Sequence, residues 1–158
     1  IEIAFVVLYS ACFGSFLNVL IYRLPNQLSL FSPGSHCPKC GTMLKWQDNI
    51  PILSFLFLRG KCRHCGEKIS IRYLFIELLT ILLSLVAYFI HGMTHTFILG
   101  AFCMMIYLCI IFIDYKHYII PDSLNLILFI ISCLSFFINI VITTNKIIPI
   151  TKAYGSVV

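Results

Sequence analysis

The sequence predicts an all-α integral membrane protein: about four transmembrane helices in this chain, with a small cytoplasmic four-cysteine zinc-knuckle loop domain. Three observations predict it. Hydrophobic residues make up 60% of the 158 residues and charged ones only 11%, against about 25% charged in a soluble domain. The apolar residues gather into four long runs, and most of the charge gathers into the segment between the first two. Inside that segment lie two Cys-x-x-Cys pairs with a 21-residue insert between them.

Residues 1–21 read as the first transmembrane helix, since about 20 helical residues cross a bilayer. The run lacks a basic leading region and a small-residue cleavage pattern, so a retained helix is expected rather than a signal peptide. Residues 22–73 form a loop-rich module outside the membrane, punctuated by Pro25, Pro33, Pro38 and Pro51. Residues 74–158 hold helices two to four, over 74–90, 97–113 and 124–142, and the start of a fifth segment. His91-Gly92 and Pro121-Asp122-Ser123 separate these runs. Soluble β-structure is the alternative, disfavoured by long, nearly uncharged stretches without period-two alternation.

The formal net charge of +5 would suggest nucleic acid in a soluble protein, but its distribution reports topology instead, and no nucleic-acid partner is expected. Loop 22–73 carries eight of the eleven Lys and Arg residues, the 91–96 turn none, and the 114–123 link only Lys116. Basic residues favour the cytoplasmic side. The cysteine loop and the 114–123 link are therefore expected to be cytoplasmic.

Cys37, Cys40, Cys62 and Cys65 are the candidate metal ligands. Each pair precedes a glycine, Gly41 or Gly66, which lets the backbone turn and aim two thiolates at one point. Four thiolates suit tetrahedral zinc and leave no open position, so the zinc is expected to be structural. Paired disulfides and a redox pair are the alternatives, disfavoured in a cytoplasmic loop with two matching turns. His36 and His64 flank the ligands and read as surface residues able to replace one. Cys12, Cys103, Cys109 and Cys133 lie singly in apolar runs and read as small packing residues.

The chain has six acidic residues. Asp48 and Glu67 read as solvated loop residues, and Glu77 as a carboxylate near a helix N-terminus, where the dipole favours it. Asp122 follows Pro121 and reads as a helix N-cap. Asp114 is different. It closes the third apolar run, where an anion meets the negative end of the helix dipole and gains nothing. A functional role leads there. Aspartic proteolysis needs two carboxylates sharing a proton, and the nearest, Asp122, stands eight residues away across a proline, so residue chemistry alone does not choose proteolysis.

Several linked segments resemble the prepilin peptidase family of bacteria. They are Phe13-Gly-Ser-Phe-Leu-Asn-Val-Leu-Ile-Tyr-Arg-Leu-Pro25, the stretch from Cys37 through Trp46 and Asp48-Asn-Ile-Pro51, and Leu58-Arg-Gly-Lys-Cys62 with Cys65. Ser70-Ile-Arg-Tyr73 to Glu77-Leu-Leu-Thr80 and Ile113-Asp114-Tyr-Lys-His-Tyr-Ile-Ile-Pro121-Asp122 complete the set. The resemblance implies a multi-pass aspartic endopeptidase of the bacterial inner membrane. Its members remove the leader of type IV prepilins and pseudopilins at the cytoplasmic face, and many then N-methylate the new N-terminus with S-adenosylmethionine. Carried over, Asp114 is the first catalytic aspartate. The family's second aspartate lies in a Gly-x-Gly-Asp motif absent from this chain, so the chain as it stands is expected to be an incomplete and inactive portion. No Gly-x-Gly-x-x-Gly nucleotide loop is present. The expected partners are prepilin or pseudopilin N-terminal segments and the lipid bilayer. Rival readings are a membrane-anchored zinc-knuckle binding module without catalysis, and a membrane thiol oxidoreductase.

Overall fold

Four long helices dominate because long apolar runs in lipid must satisfy every backbone group within the segment. The computed structural model describes residues 1–154, with side chains through Thr144. In order, the elements are α1 (Glu2–Arg23), a one-turn 3-10 helix (Trp46–Asn49), α2 (Leu53–Phe57), α3 (Ile71–His91), α4 (His95–His117) and α5 (Asp122–Tyr154). No strand occurs among the described residues, only the isolated bridges His36 to Met43 and Lys61 to Lys68. Four helices are long and apolar enough to cross a membrane: Glu2–Arg23, Ile71–His91, His95–His117 and Asp122–Thr144.

These helices overrun the apolar stretches by a few polar residues at their ends. At the N-termini, Ser70 Oγ accepts the Arg72 N–H at 3.4 Å and Thr94 Oγ1 accepts the Phe97 N–H at 3.3 Å. Such caps satisfy amides that a helix leaves unpaired. Lys116 and His117 extend α4 by a last turn that suits positive charge. α5 opens on Asp122 itself, so this residue sits in the first turn rather than one position ahead as a cap, a one-residue difference that leaves the carboxylate at the positive end of the dipole. The expected start of a fifth segment reaches into residues 155–158, which lie outside the described residues.

The chain divides into two compact units, Ile1–Pro121 and the part from Asp122 onward. Within the first, α1 packs against α3 through small and polar residues. A Cβ added to Gly14 would come within 2.9 Å of the Glu77 Cα and 3.2 Å of Thr80 Oγ1. Only glycine permits that approach, a common device where lipid supplies no drive for helices to associate. Ser10 and Thr80 are buried and return their hydroxyls to the carbonyls of Val6 and Ile76, at 2.6 and 2.7 Å. Asn18, also buried, donates to Gly14 O in its own helix and to Tyr73 O, both at 3.2 Å. α4 joins them through Val6, Ala87, Phe97 and Ala101 and through edge-on contacts of Phe102 with Tyr9 and Phe13.

Candidate functional site

Two structures in the first unit carry chemistry: the cysteine cluster and the α4 end bearing Asp114.

The cysteine cluster is built from two copies of one turn. Gly41 N–H donates to Cys37 O at 2.9 Å and Cys37 N–H to Thr42 O at 3.0 Å. Gly66 N–H donates to Cys62 O at 3.0 Å and Cys62 N–H to Glu67 O at 2.8 Å. Both glycines adopt positive φ, 69° and 71°, a conformation that costs glycine little. The four Sγ atoms lie within 4.8 Å of one another, and Cys37 Sγ stands 3.8 Å from Cys65 Sγ. A tetrahedron with zinc–sulfur bonds of about 2.3 Å has edges of about 3.8 Å, so the cluster has the dimensions of a zinc site and can hold a metal.

Cys37 and Cys62 are buried, whereas Cys40 and Cys65 are exposed. The Thr42 hydroxyl and then its backbone N–H favour the Cys40 thiolate and pull that thiol down to about 6. Cys65 receives a backbone hydrogen bond from Glu67 that also favours its thiolate, but desolvation and the three neighbouring sulfurs outweigh it and push it up to about 12. Four crowded sulfurs without a cation cannot all ionise, which a divalent metal would reverse. Neither His36 nor His64 belongs to the cluster; His36 Nδ1 lies 3.0 Å from Gly34 O.

Two ion pairs tie the cluster to its surroundings. Lys39 Nζ bridges from the first turn to Glu67 Oε2 in the second, an exposed pair of small energetic weight. Arg63 binds Asp48, whose side chain is only 2% exposed, so Asp48 is not the solvated loop residue the sequence suggested. The Arg63 hydrogen bonds hold the Asp48 carboxyl below its usual range.

Three anchoring features went unseen in the sequence. Arg23 is buried at the end of α1 and donates through its two terminal nitrogens to the carbonyls of Ser29, Leu30, Pro33 and Gly34, at 2.8, 3.2, 2.6 and 3.4 Å. It gathers the start of the loop onto the helix. Glu77 lies in the second turn of α3, is buried, and accepts the backbone N–H of Ile52 at 2.8 Å, so its role is to hold the loop rather than to meet the helix dipole. Gly14 permits the α1–α3 approach. The Gly-Ser-Phe-Leu-Asn run was a signal for a close helix contact, whereas nothing marked Ile52 as the partner of Glu77.

Asp114 lies in the last turn of α4. Its carbonyl accepts the N–H of Tyr118 at 2.8 Å, and Tyr118 closes the helix in the left-handed conformation at φ 54°. The Asp114 side chain is exposed. Of the five acidic residues in this unit, Glu2 accepts the Tyr88 hydroxyl at 2.6 Å, Asp48 and Glu67 hold basic partners, and Glu77 holds Ile52. Of these five acids, Asp114 alone has neither an ion pair nor a side-chain hydrogen bond among the described residues.

Comparison with known proteins follows the same features. Residues 8–91, just over half of the chain, match the family model described as the bacterial peptidase A24 N-terminal domain. The chain is similar to the prepilin leader peptidase/N-methyltransferase of Myxococcus xanthus (strain DK1622), at 42% identity over 77% of this chain and 36% of the relative. It is similar to the proteins of the same name from Legionella pneumophila, at 39% identity over 75% of the chain and 50% of the relative, and Dichelobacter nodosus, at 38% over 91% and 60%. The chain thus spans between about a third and three fifths of the length of these curated relatives. No solved structure matches it.

Proposed function

The chain belongs to the bacterial peptidase A24 N-terminal domain family, and from that membership we propose that the protein acts as a prepilin leader peptidase and N-methyltransferase. The observation that carries the proposal is the identity of 38–42% to three relatives of that name, extending for the Dichelobacter nodosus protein over 91% of the chain. The substrates are the N-terminal segments of prepilins or pseudopilins. The enzyme resides in the inner membrane with loop 22–73 on the cytoplasmic side, a placement supported by the eight basic residues of that loop.

Cleavage follows the chemistry of paired carboxylates. One ionised carboxylate takes a proton from water as the water attacks the scissile carbonyl, while the protonated partner delivers its proton to the carbonyl oxygen or the leaving amine. Asp114 is assigned as one member of that pair. Its support is electrostatic: it is the unpartnered acid of its unit, at a helix end where negative charge is unfavourable. The other carboxylate is expected in a Gly-x-Gly-Asp segment, which the 158 residues do not contain.

Cys37, Cys40, Cys62 and Cys65 would hold one zinc ion, which supplies a cross-link between the two turns and no catalysis, since four thiolates fill its coordination. S-adenosylmethionine, when bound, supplies the methyl group for the new N-terminal amine. Leader removal from a co-expressed prepilin, followed as a gel shift with the full-length gene product, tests the proposal. An unshifted prepilin contradicts it.

A further inference from the structure

The arm between the two cysteine pairs folds back beside the helices instead of standing clear of them. Ile52 gives its N–H to Glu77, six residues into α3, which at 1.5 Å per residue is about 9 Å from the helix start. Independently, Asn49 and Pro51 line a cleft of about 360 Å³ whose other wall includes Ser15, Phe16 and Val19 of α1. Those α1 residues precede its end at Arg23 by four to eight positions, or about 6–12 Å. Both helices therefore place residues 49–52 beside positions about 6–12 Å in from the α1 end and about 9 Å in from the α3 start.

The surface that this arm turns outward is apolar. Leu53, Leu56 and Phe57 stand at i, i+3 and i+4 and share one side of α2, and they are 50%, 60% and 82% exposed. Phe55 takes the inner side, where a Cβ on Gly60 would meet its ring at 3.0 Å. Trp46, 75% exposed, precedes them in the 3-10 turn. Lys45, Arg59 and Lys61 flank the patch and are exposed, while Asp48, the single acid between positions 45 and 61, is already held by Arg63. An outward apolar face bordered by three cations that hold no ion pair among the described residues, at the level of two membrane helices, matches the boundary between acyl chains and anionic headgroups.

We propose that residues 45–61 form a membrane-inserted arm, with Trp46, Leu53, Leu56 and Phe57 in the acyl boundary and Lys45, Arg59 and Lys61 on anionic lipid headgroups. The occupant of this face is lipid, not a protein partner. Irregular backbone at that depth is tolerated only where protein satisfies it, and the Glu77 carboxylate does so for Ile52. The inference rests on α1 and α3 crossing a bilayer and not on the peptidase activity.

Trp46 is the one tryptophan of the sequence, so the chain carries its own reporter. The chain is reconstituted in phosphatidylcholine–phosphatidylglycerol nanodiscs with or without brominated acyl chains. Brominated lipid should remove most of the Trp46 emission, and aqueous iodide should quench it several-fold less than it quenches tryptophan amide. A second reporter, Phe57→Trp in a Trp46→Phe background, should behave alike. Insensitivity of either reporter to brominated lipid, with iodide access like that of the free amide, overturns the arm. Discs lacking phosphatidylglycerol should give higher access of the neutral quencher acrylamide at Trp46; equal access in both overturns the headgroup role of the three cations.

Discussion

Arg63 donates both its Nε–H and an Nη2–H to a single oxygen of Asp48, Oδ1, at 2.9 and 2.5 Å. Arg63 lies inside the second cysteine pair and Asp48 in the insert between the pairs, so this contact joins the metal cluster to the arm that reaches α1 and α3. Because the Asp48 carboxyl is held below its usual range, it favours the folded loop when ionised. That contribution is complete above the unfolded carboxylate value of about 3.9 and is lost as pH falls through the lower folded value. Limited proteolysis of loop 22–73 should show Asp48→Asn cut faster than the parent at pH 6, with the difference shrinking below about pH 4. A difference that stays constant down to pH 2 contradicts the pair.

One zinc ion per chain is expected, measured by elemental analysis of purified protein. Cys37→Ser or Cys62→Ser should lower the stoichiometry well below one and open the loop to protease. The spans should remain inserted, since each satisfies its own backbone. Thiol titration should find Cys37, Cys40, Cys62 and Cys65 unreactive until a strong chelator is added. Immediate reaction of all four would favour the thiol-oxidoreductase reading.

Gly14→Ala should destabilise the α1–α3 contact by about 1–3 kcal/mol, the usual cost of overpacking, because its Cβ would meet backbone at 2.9 Å. Gly100, also helical, has open space around its Cβ position. Gly100→Ala should be neutral or stabilising by up to about 1 kcal/mol. Unfolding in mixed micelles compares the two. Equal effects would remove the case for a close crossing at Gly14.

Legibility followed the range of the interactions. The spans were legible because lipid demands long apolar runs, and the cysteine tetrad because its turns are local and repeat one spacing. The helix ends moved outward where Ser70, Thr94 and Lys116-His117 add polar turns that hydropathy does not register. Arg23, Asp48 and Glu77 were misread or missed for a common reason. Each is a charged residue whose role is set by partners 6 to 25 positions away, and no spacing rule links them. The Glu77 contact with Ile52, in particular, depends on an irregular arm folding back beside two helices.

Asp122→Asn should leave most leader cleavage intact in the full-length gene product. The residue sits in the first turn of α5, and asparagine serves a helix N-terminus nearly as well, apart from a dipole contribution of about 0.3–1 kcal/mol. Loss of cleavage at wild-type protein levels would move Asp122 into the chemistry.

The central assignment is Asp114 as a catalytic carboxylate, and its most direct test is Asp114→Asn in the full-length gene product with a co-expressed prepilin. An amide has nearly the shape of the carboxyl but cannot exchange a proton near neutral pH, and the Asp114 side chain holds no partner whose loss would disturb the fold. Leader removal on a gel should fall to background while membrane insertion and zinc content match the parent. Continued processing of the prepilin by Asp114→Asn would show that the reaction runs through other residues.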